Sequence, residues 1–116
     1  MTEVCKMYEE HIDKILKAQT KLPDDEAVLE LADFFDALGN PTRLKILLAL
    51  LNAGELCTCD LSAITKLSVS AISHQLRILK DRKIVTYRKD GKNVFYCLDD
   101  EHITEILKVA LKHMEE

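Results

Sequence analysis

Aromatic residues are scarce in this sequence, which has no tryptophan and only three tyrosines and three phenylalanines among 116 residues. Because 47% of the residues are hydrophobic, the core must be built mainly from aliphatic side chains. No apolar run approaches the roughly 18 residues that a transmembrane helix needs, so we expect no membrane partner. The first residues lack a basic segment followed by an apolar one, so we expect no secretion signal.

The sequence also lacks the features of a disulfide-stabilised protein and of an enzyme. Four cysteines without a secretion signal indicate a reducing, cytoplasmic location, where thiols stay free or bind metal ions. The apolar pattern alone can bury one modest core, which fits a single domain over residues 1–116. We find no phosphate-binding loop and no nucleophile paired with a base, which argues against catalysis.

The most informative stretch runs from Leu56 to Leu79 and predicts two short helices joined by a tight turn. In both halves, apolar residues recur at helical spacing. Ser68 stands directly before the second run, where its hydroxyl can cap a helix. The second helix would turn hydrogen-bonding and cationic side chains outward, as base edges and phosphates require. The candidate DNA contacts are Ser68, Ser70, Ser73, His74, Gln75, Arg77 and Lys80.

One of these candidates has an alternative role, because His74 could instead fix the helix to its own domain through a hydrogen bond. The charge distribution favours DNA binding even though the net charge is −4. Residues 66–92 hold eight lysines and arginines against two aspartates, a net charge of +6, whereas the remainder carries −10. A locally basic segment is the electrostatic footprint of a nucleic-acid binder, although such a segment can also be a merely solvated face.

After this helix pair the periodicity becomes that of β-strands. Residues 84–88 and 93–98 are rich in β-branched and aromatic types, and Asp90-Gly91 between them predicts a hairpin. A hairpin that follows a recognition helix defines a winged helix-turn-helix, so we expect a mainly α fold with one β-hairpin. This wing would bring further cations to phosphates or to the minor groove, namely Arg88, Lys89 and Lys92.

Further helices are predicted at residues 3–20, 25–38, 41–52 and 100–115. The helix at 41–52 is apolar nearly all round and should be the buried core helix. Asn40 is expected to cap it, and Pro41 fits its first helical position. In the helix at 25–38, an apolar stripe is predicted to face inward, made of Val28, Leu31, Ala32, Phe35 and Leu38.

The first and last helices carry apolar stripes that a small core need not absorb. A symmetric homodimer through these two helices would bury both stripes, and two-fold symmetry suits paired DNA half-sites. The predicted segments are an N-terminal helix or arm at 1–24, the helix-turn-helix at 57–82, the wing at 84–98 and a dimer helix at 100–116.

Three stretches form recognisable motifs. Residues 55–61 read ELCTCDL, residues 70–76 read SAISHQL, and residues 100–116 begin with Asp-Glu-His and end with His-Met-Glu-Glu. They resemble the metal box, the recognition helix and the last-helix metal site of the ArsR/SmtB metal-sensing repressors, in the branch of the zinc, cadmium and lead sensors. The resemblance is clearest over residues 29–116. It implies a homodimeric transcriptional repressor that binds operator DNA when metal-free and releases it when metal binds.

The geometry of the last helix supports a site shared between two chains. His102 and His113 are eleven residues apart, so they share one face but lie about 16 Å apart along the axis. Zinc ligands lie about 2.0–2.2 Å from the metal, so one helix cannot close the site. Two antiparallel helices can, by combining Asp100 and His102 of one chain with His113 and Glu116 of the other. The plainer alternative is that Asp100 caps the helix and the histidines are simply exposed.

Cys57 and Cys59 form a second candidate site. In a regular helix they would point about 200° apart, so joint ligation requires an irregular first turn. The resemblance implies that Cys5, from the first helix, would join them. The fourth ligand would be Glu9, His11 or Asp60. Alternatively, these thiols are small packing residues, as we expect for Cys97.

The donor types set the expected effector. Histidine and carboxylate ligands favour zinc or cobalt over soft ions, so Zn(II) is expected, with Co(II), Cd(II) and Pb(II) as alternatives. The family's second N-terminal cysteine is missing here, and Ser62 replaces the third cysteine of the arsenic-sensing pattern.

The competing functions are a winged-helix regulator that does not sense metal, and a metal-binding protein or enzyme without DNA binding.

Overall fold

The computed structural model describes the backbone of residues 2–116 and the side chains of residues 11–116. The side chains of Cys5 and Glu9, two of the predicted thiol-site ligands, lie outside the described residues. The chain divides into two compact units, one ending at Ala32 and the other running from Asp33 to Glu116. Over the described residues, no helix has both the length and the apolar character needed to cross a membrane.

Six helices and three strands make up the described chain. In order they are α1 (Thr2–Lys21), α2 (Asp25–Leu38), α3 (Pro41–Ala53), β1 (Leu56–Cys57), α4 (Thr58–Thr65), α5 (Val69–Asp81), β2 (Val85–Asp90), β3 (Asn93–Leu98) and α6 (Glu101–Glu115).

Polar caps begin these helices where the sequence predicts them. The Asn40 side chain accepts from the N–H of Arg43 (3.1 Å), and Pro41 occupies the first helical position, where no N–H is needed. The Ser68 hydroxyl accepts from the N–H of Ala71 (3.1 Å) and starts the recognition helix. Such caps contribute about 1 kcal/mol each, so local chemistry fixes where the helix-turn-helix begins.

The core of the larger unit is aliphatic, as predicted. Ile46 and Leu47 of α3 are fully buried, which confirms α3 as the core helix. The prediction for α2 is confirmed for Leu38, which is buried, but it is wrong for the rest of the stripe. Phe35 is 55% exposed in the single chain, and Val28, Leu31 and Ala32 are exposed with it. The end of α2 reaches the core instead, through buried residues of its last turn, and the stripe on its flank is left uncovered.

The predicted hairpin is confirmed. β2 and β3 pair in antiparallel register, and Gly91 takes a positive φ of 64° at the turn, which glycine adopts without strain. The sequence analysis placed Leu56 and Cys57 in the first helix of the pair, but they form β1, which pairs with β3 to give the order β1-β3-β2. A two-residue strand is too short to show a period of two, so the pattern could not reveal it.

Candidate nucleic-acid interface and metal sites

The recognition helix α5 presents one polar face and one apolar face. Ile72, Leu76 and Leu79 enter the core, whereas most of the predicted DNA contacts are exposed. These exposed contacts are Ser68, Ser70, Ser73, His74, Arg77 and Lys80. Gln75 differs from them, because it is half-buried and its side-chain oxygen accepts from Arg43.

A groove of about 390 Å³ separates α5 from the sheet, and its lining holds two cations and one carboxylate, that of Asp81. Arg77 and Lys80 stand on its helix side, and Tyr96 of β3 stands on its sheet side. The Lys80 ammonium lies 4.4 Å from the ring centroid of Tyr87, a cation–π contact that holds the charge at the groove. The groove therefore combines positive charge and aromatic surface beside the recognition helix.

The wing carries three predicted contacts, which differ in their surroundings. Lys89 and Lys92 are exposed near the tip of the hairpin. Arg88 is also exposed, but its Nε and one terminal nitrogen donate to the two carboxylate oxygens of Glu55, at 2.7 and 3.1 Å. This pairing lowers the pKa of Glu55 and raises the pKa of Arg88. The positive charge of Arg88 is thus already compensated within the protein.

The predicted ligands of the last helix lie along one face of α6. His102 and His113 both line an open groove of about 630 Å³, together with Ile106 and Val109. Among the residues that the structure describes, no group of three His, Cys, Asp or Glu side chains is close enough to hold a metal ion within one chain. The site shared between two chains therefore stays a prediction.

Asp100 is the N-cap of α6, accepting from the N–H of Ile103 at 3.1 Å. Its second oxygen lies 3.4 Å from Nδ1 of His102. The hydrogen bond from Ile103 lowers the pKa of Asp100, and His102 lowers it further. Glu116 follows the helix, and its N–H donates to the carbonyl of His113. Capping and metal ligation are compatible for Asp100, since a carboxylate has two oxygens.

Cys57 and Cys59 lie at a junction between strand and helix. Cys57 ends β1 with an extended backbone (φ −86°, ψ 171°) and caps α4, whereas Cys59 is exposed in the first turn of α4. The N–H of Cys57 donates to Asp60 (3.1 Å), and this bond, with the Cys57 thiol, lowers the pKa of Asp60. The two thiols thus stand on the irregular backbone that joint ligation requires.

Two polar side chains bind residues predicted to contact DNA, and the sequence pattern did not indicate either of them. Arg43 binds Gln75 across 32 positions of sequence, and Glu55 binds Arg88 across 33. Neither spacing leaves a periodic signal. The one sequence signal concerns Glu55, which begins the ELCTCDL motif and so places a carboxylate next to the thiols along the chain.

Comparison with known proteins shows which protein family has this arrangement. The family model described as "Bacterial regulatory protein, arsR family" matches residues 40–87, from the cap of α3 into the wing. The transcriptional repressor SmtB homolog of Synechocystis sp. is 40% identical over 106 residues, covering 91% of this chain and 80% of that protein. The cadmium resistance regulatory protein CadC homolog of Staphylococcus aureus is 40% identical over 114 residues, covering 98% and 93%.

This chain belongs to the ArsR family. Members of this family are transcriptional regulators that bind DNA, so the chain is a DNA-binding repressor and not an enzyme. The crystal structure of the antimony-specific transcriptional repressor AntR matches with a TM-score of 0.72 at 34% identity, covering 82% of this chain and 86% of that one. A homodimeric winged helix-turn-helix domain, Mb0332 of Mycobacterium bovis, shares the fold with a TM-score of 0.73 at 24% identity, covering 83% and 90%. The expected fold class is therefore confirmed.

Proposed function

We propose that this ArsR-family protein is a metal-responsive repressor whose metal-free homodimer binds operator DNA and releases it when metal binds. The relatives named for cadmium and arsenical resistance support a metal effector. The observation that carries the proposal is the shared groove of His102 and His113 on α6. Two imidazoles on one helix face, too far apart for one ion, need a second copy to become a site.

The proposed metal site would combine Asp100 and His102 of one chain with His113 and Glu116 of its partner, twice per dimer. The donor set fits zinc, because two imidazole nitrogens and two carboxylate oxygens satisfy a tetrahedral ion. Asp100 is already held beside His102 by its role as a cap. Zn(II) is therefore the proposed effector, and Co(II), Cd(II) and Pb(II) are the alternatives to test beside it.

Cys57 and Cys59 form a second proposed site, with Cys5 as a further thiol. Metal at this site would remove the thiol proton of Cys57 and so alter its contact with Asp60 at the start of the helix-turn-helix. Softer ions would favour these thiolates over the ligands of α6.

The proposed DNA interface places α5 in the major groove and the wing beside the backbone. Within it, Ser70, Ser73, His74 and Arg77 face outward on α5, and Lys89 and Lys92 lie near the tip of the wing. The basic groove beside Lys80 would take a phosphate of the same duplex. We further propose that the protein binds operator DNA in the cytoplasm as a homodimer joined through its first and last helices.

A regulator of the same fold that does not sense metal is the second candidate. One observation favours it: among the described residues, no three His, Cys, Asp or Glu side chains of one chain lie close enough together to hold a metal ion. In this case α6 would serve dimerisation alone.

A titration separates these two candidates. Metal-free protein bound to a duplex selected from a random library should release it on addition of Zn(II), with about a 5- to 150-fold loss of affinity. By reciprocity, the duplex should weaken zinc binding by the same factor. Equal zinc affinity with and without DNA would remove the sensing proposal and leave the DNA-binding regulator.

A further inference from the structure

Arg43 joins the recognition helix to the end of α2. Its Nε donates to the carbonyl of Ala37 (2.8 Å), and one terminal nitrogen donates to the carbonyl of Asp36 (3.2 Å). The other terminal nitrogen donates to the side-chain oxygen of Gln75 (3.1 Å). Carbonyls at a helix C-terminus attract cations, so the guanidinium is held firmly on the side away from α5.

This contact settles which way the amide of Gln75 points. A guanidinium has only donors, so the atom that it binds must be the amide oxygen rather than the nitrogen. The amide nitrogen has no hydrogen-bond partner among the described residues. Every buried side-chain nitrogen or oxygen among those residues has a hydrogen-bond partner. Because this amide nitrogen has none, it is not buried and reaches solvent. Gln75 therefore directs its oxygen at Arg43 and leaves its amide N–H donors in contact with solvent.

We propose that Arg43 is a positioning residue for DNA recognition, and that it makes Gln75 a donor-only reader of base edges. The proposal rests on the DNA interface described above. A free glutamine reads adenine with both ends, donating to N7 and accepting from the N6 amino group. Here the accepting oxygen is directed at Arg43, so its second lone pair is turned away from the base edge that the N–H donors can reach. Gln75 then pairs with edges that offer acceptors alone, which are N7 and O6 of guanine or O4 of thymine.

The test is selection of bound sequences from a randomised duplex library, with EDTA present to keep the protein metal-free. The variants are Arg43→Met, which releases the amide, and Gln75→Glu, which keeps an acceptor for Arg43 but has no donor. Lys45→Met serves as the control, because it removes one exposed charge from α3. The base pair that Gln75 reads is identified as the position whose preference changes in Gln75→Glu.

At that position, the wild-type protein should select guanine or thymine. Gln75→Glu should lose the preference by about 5- to 150-fold, the discrimination of a good contact between a side chain and a base. Arg43→Met should shift the selection towards adenine, because the freed oxygen can now accept from N6. Lys45→Met, at a residue outside the proposed DNA contacts, should change no base preference.

Arg43→Met also removes the two bonds to α2, so its thermal unfolding must be measured beside wild type. If it does not fold, Arg43→Lys keeps a charge beside the α2 carbonyls but not the fork, and Gln75→Glu tests the donor by itself. An unchanged profile in Gln75→Glu, adenine at the position read by the wild type, or unaltered guanine or thymine selection in folded Arg43→Met would each overturn the proposal. If the wild type enriches no sequence, the proposed DNA interface is itself wrong and this inference falls with it.

Discussion

Glu55 and Arg88 form a bidentate ion pair across the middle strand of the sheet. Glu55 precedes β1 and Arg88 belongs to β2, yet β3 lies between these strands. The guanidinium crosses over the ring of Phe95, 4.9 Å from its centroid, and Phe95 is the register partner of both Arg88 and Cys57. The wing is thereby connected to the strand that carries the first thiol of the metal box.

Removal of the Glu55 charge should strengthen DNA binding. In Glu55→Gln, Arg88 loses its bidentate carboxylate partner, keeps only the longer 3.9 Å contact with Asp90, and becomes available to a phosphate. The slope of log affinity against log salt should then become steeper by about 0.9, the value for one more neutralised phosphate. Binding to one duplex at several salt concentrations measures this slope.

The matched control for Glu55→Gln is the double variant with Arg88→Gln, in which the gain should disappear. If Glu55→Gln and wild type share the same slope, Arg88 either contacts DNA while still paired or does not reach it.

The cap of α6 should make stability depend on acid pH. The pKa of Asp100 is lower in the folded protein than in the unfolded chain, because the N–H of Ile103 donates to its carboxylate. Between the lowered pKa of the folded state and the ordinary pKa of the unfolded chain, the unfolded state therefore binds more protons. The stabilisation is lost as the pH falls through the folded-state pKa. It is fully present above the ordinary pKa of about 3.9.

Asp100→Asn provides the comparison, since asparagine caps a helix about as well as aspartate does but cannot titrate. Thermal unfolding of metal-free protein should be nearly equal for the two at neutral pH. Below about pH 4 the wild type should lose more of its melting temperature than the variant does. If the melting temperatures of the two proteins change in parallel over the whole pH range, the Asp100 cap contributes no pH dependence to stability.

The two thiols of the metal box should bind a soft metal, whereas Cys97 should not. Cys97 is half-buried in β3, and burial raises its pKa, so it stays protonated at neutral pH. Cys57→Ser and Cys59→Ser should each weaken the near-ultraviolet absorption of cadmium bound to thiolate. Cys97→Ser is the matched control and should leave this absorption unchanged. Loss of absorption in Cys97→Ser would place the thiol site in the sheet instead.

The sequence predicted local features well, because their causes lie within a few residues. Ser68 and Asn40 cap helices through a hydrogen bond three residues away, and Gly91 makes its turn through its own backbone freedom. Features that join distant residues escaped it. The contact of Arg43 with Gln75 spans two helices and has no periodic signature.

The exposed stripe of α2 shows a second limit. Helical spacing placed Val28 and Phe35 on one apolar face, but it could not say whether that face meets the chain's own core or another surface. The metal ligands of α6 pose the same problem, because a site that needs two copies leaves no closed cluster in one. Their assignment depends on helix geometry and on family resemblance.

Metal bridging of two copies through α6 is the central claim, and zinc stoichiometry in a mixed dimer tests it most directly. The measurement uses native mass spectrometry of His102→Gln and His113→Gln, made in a Cys57→Ser, Cys59→Ser background to silence the thiols. Each variant alone should lose both sites. A heterodimer of the two should recover one zinc ion, because one of its sites keeps His102 from one chain and His113 from the other. Heterodimers without zinc, or single variants that retain two ions per dimer, would contradict the account.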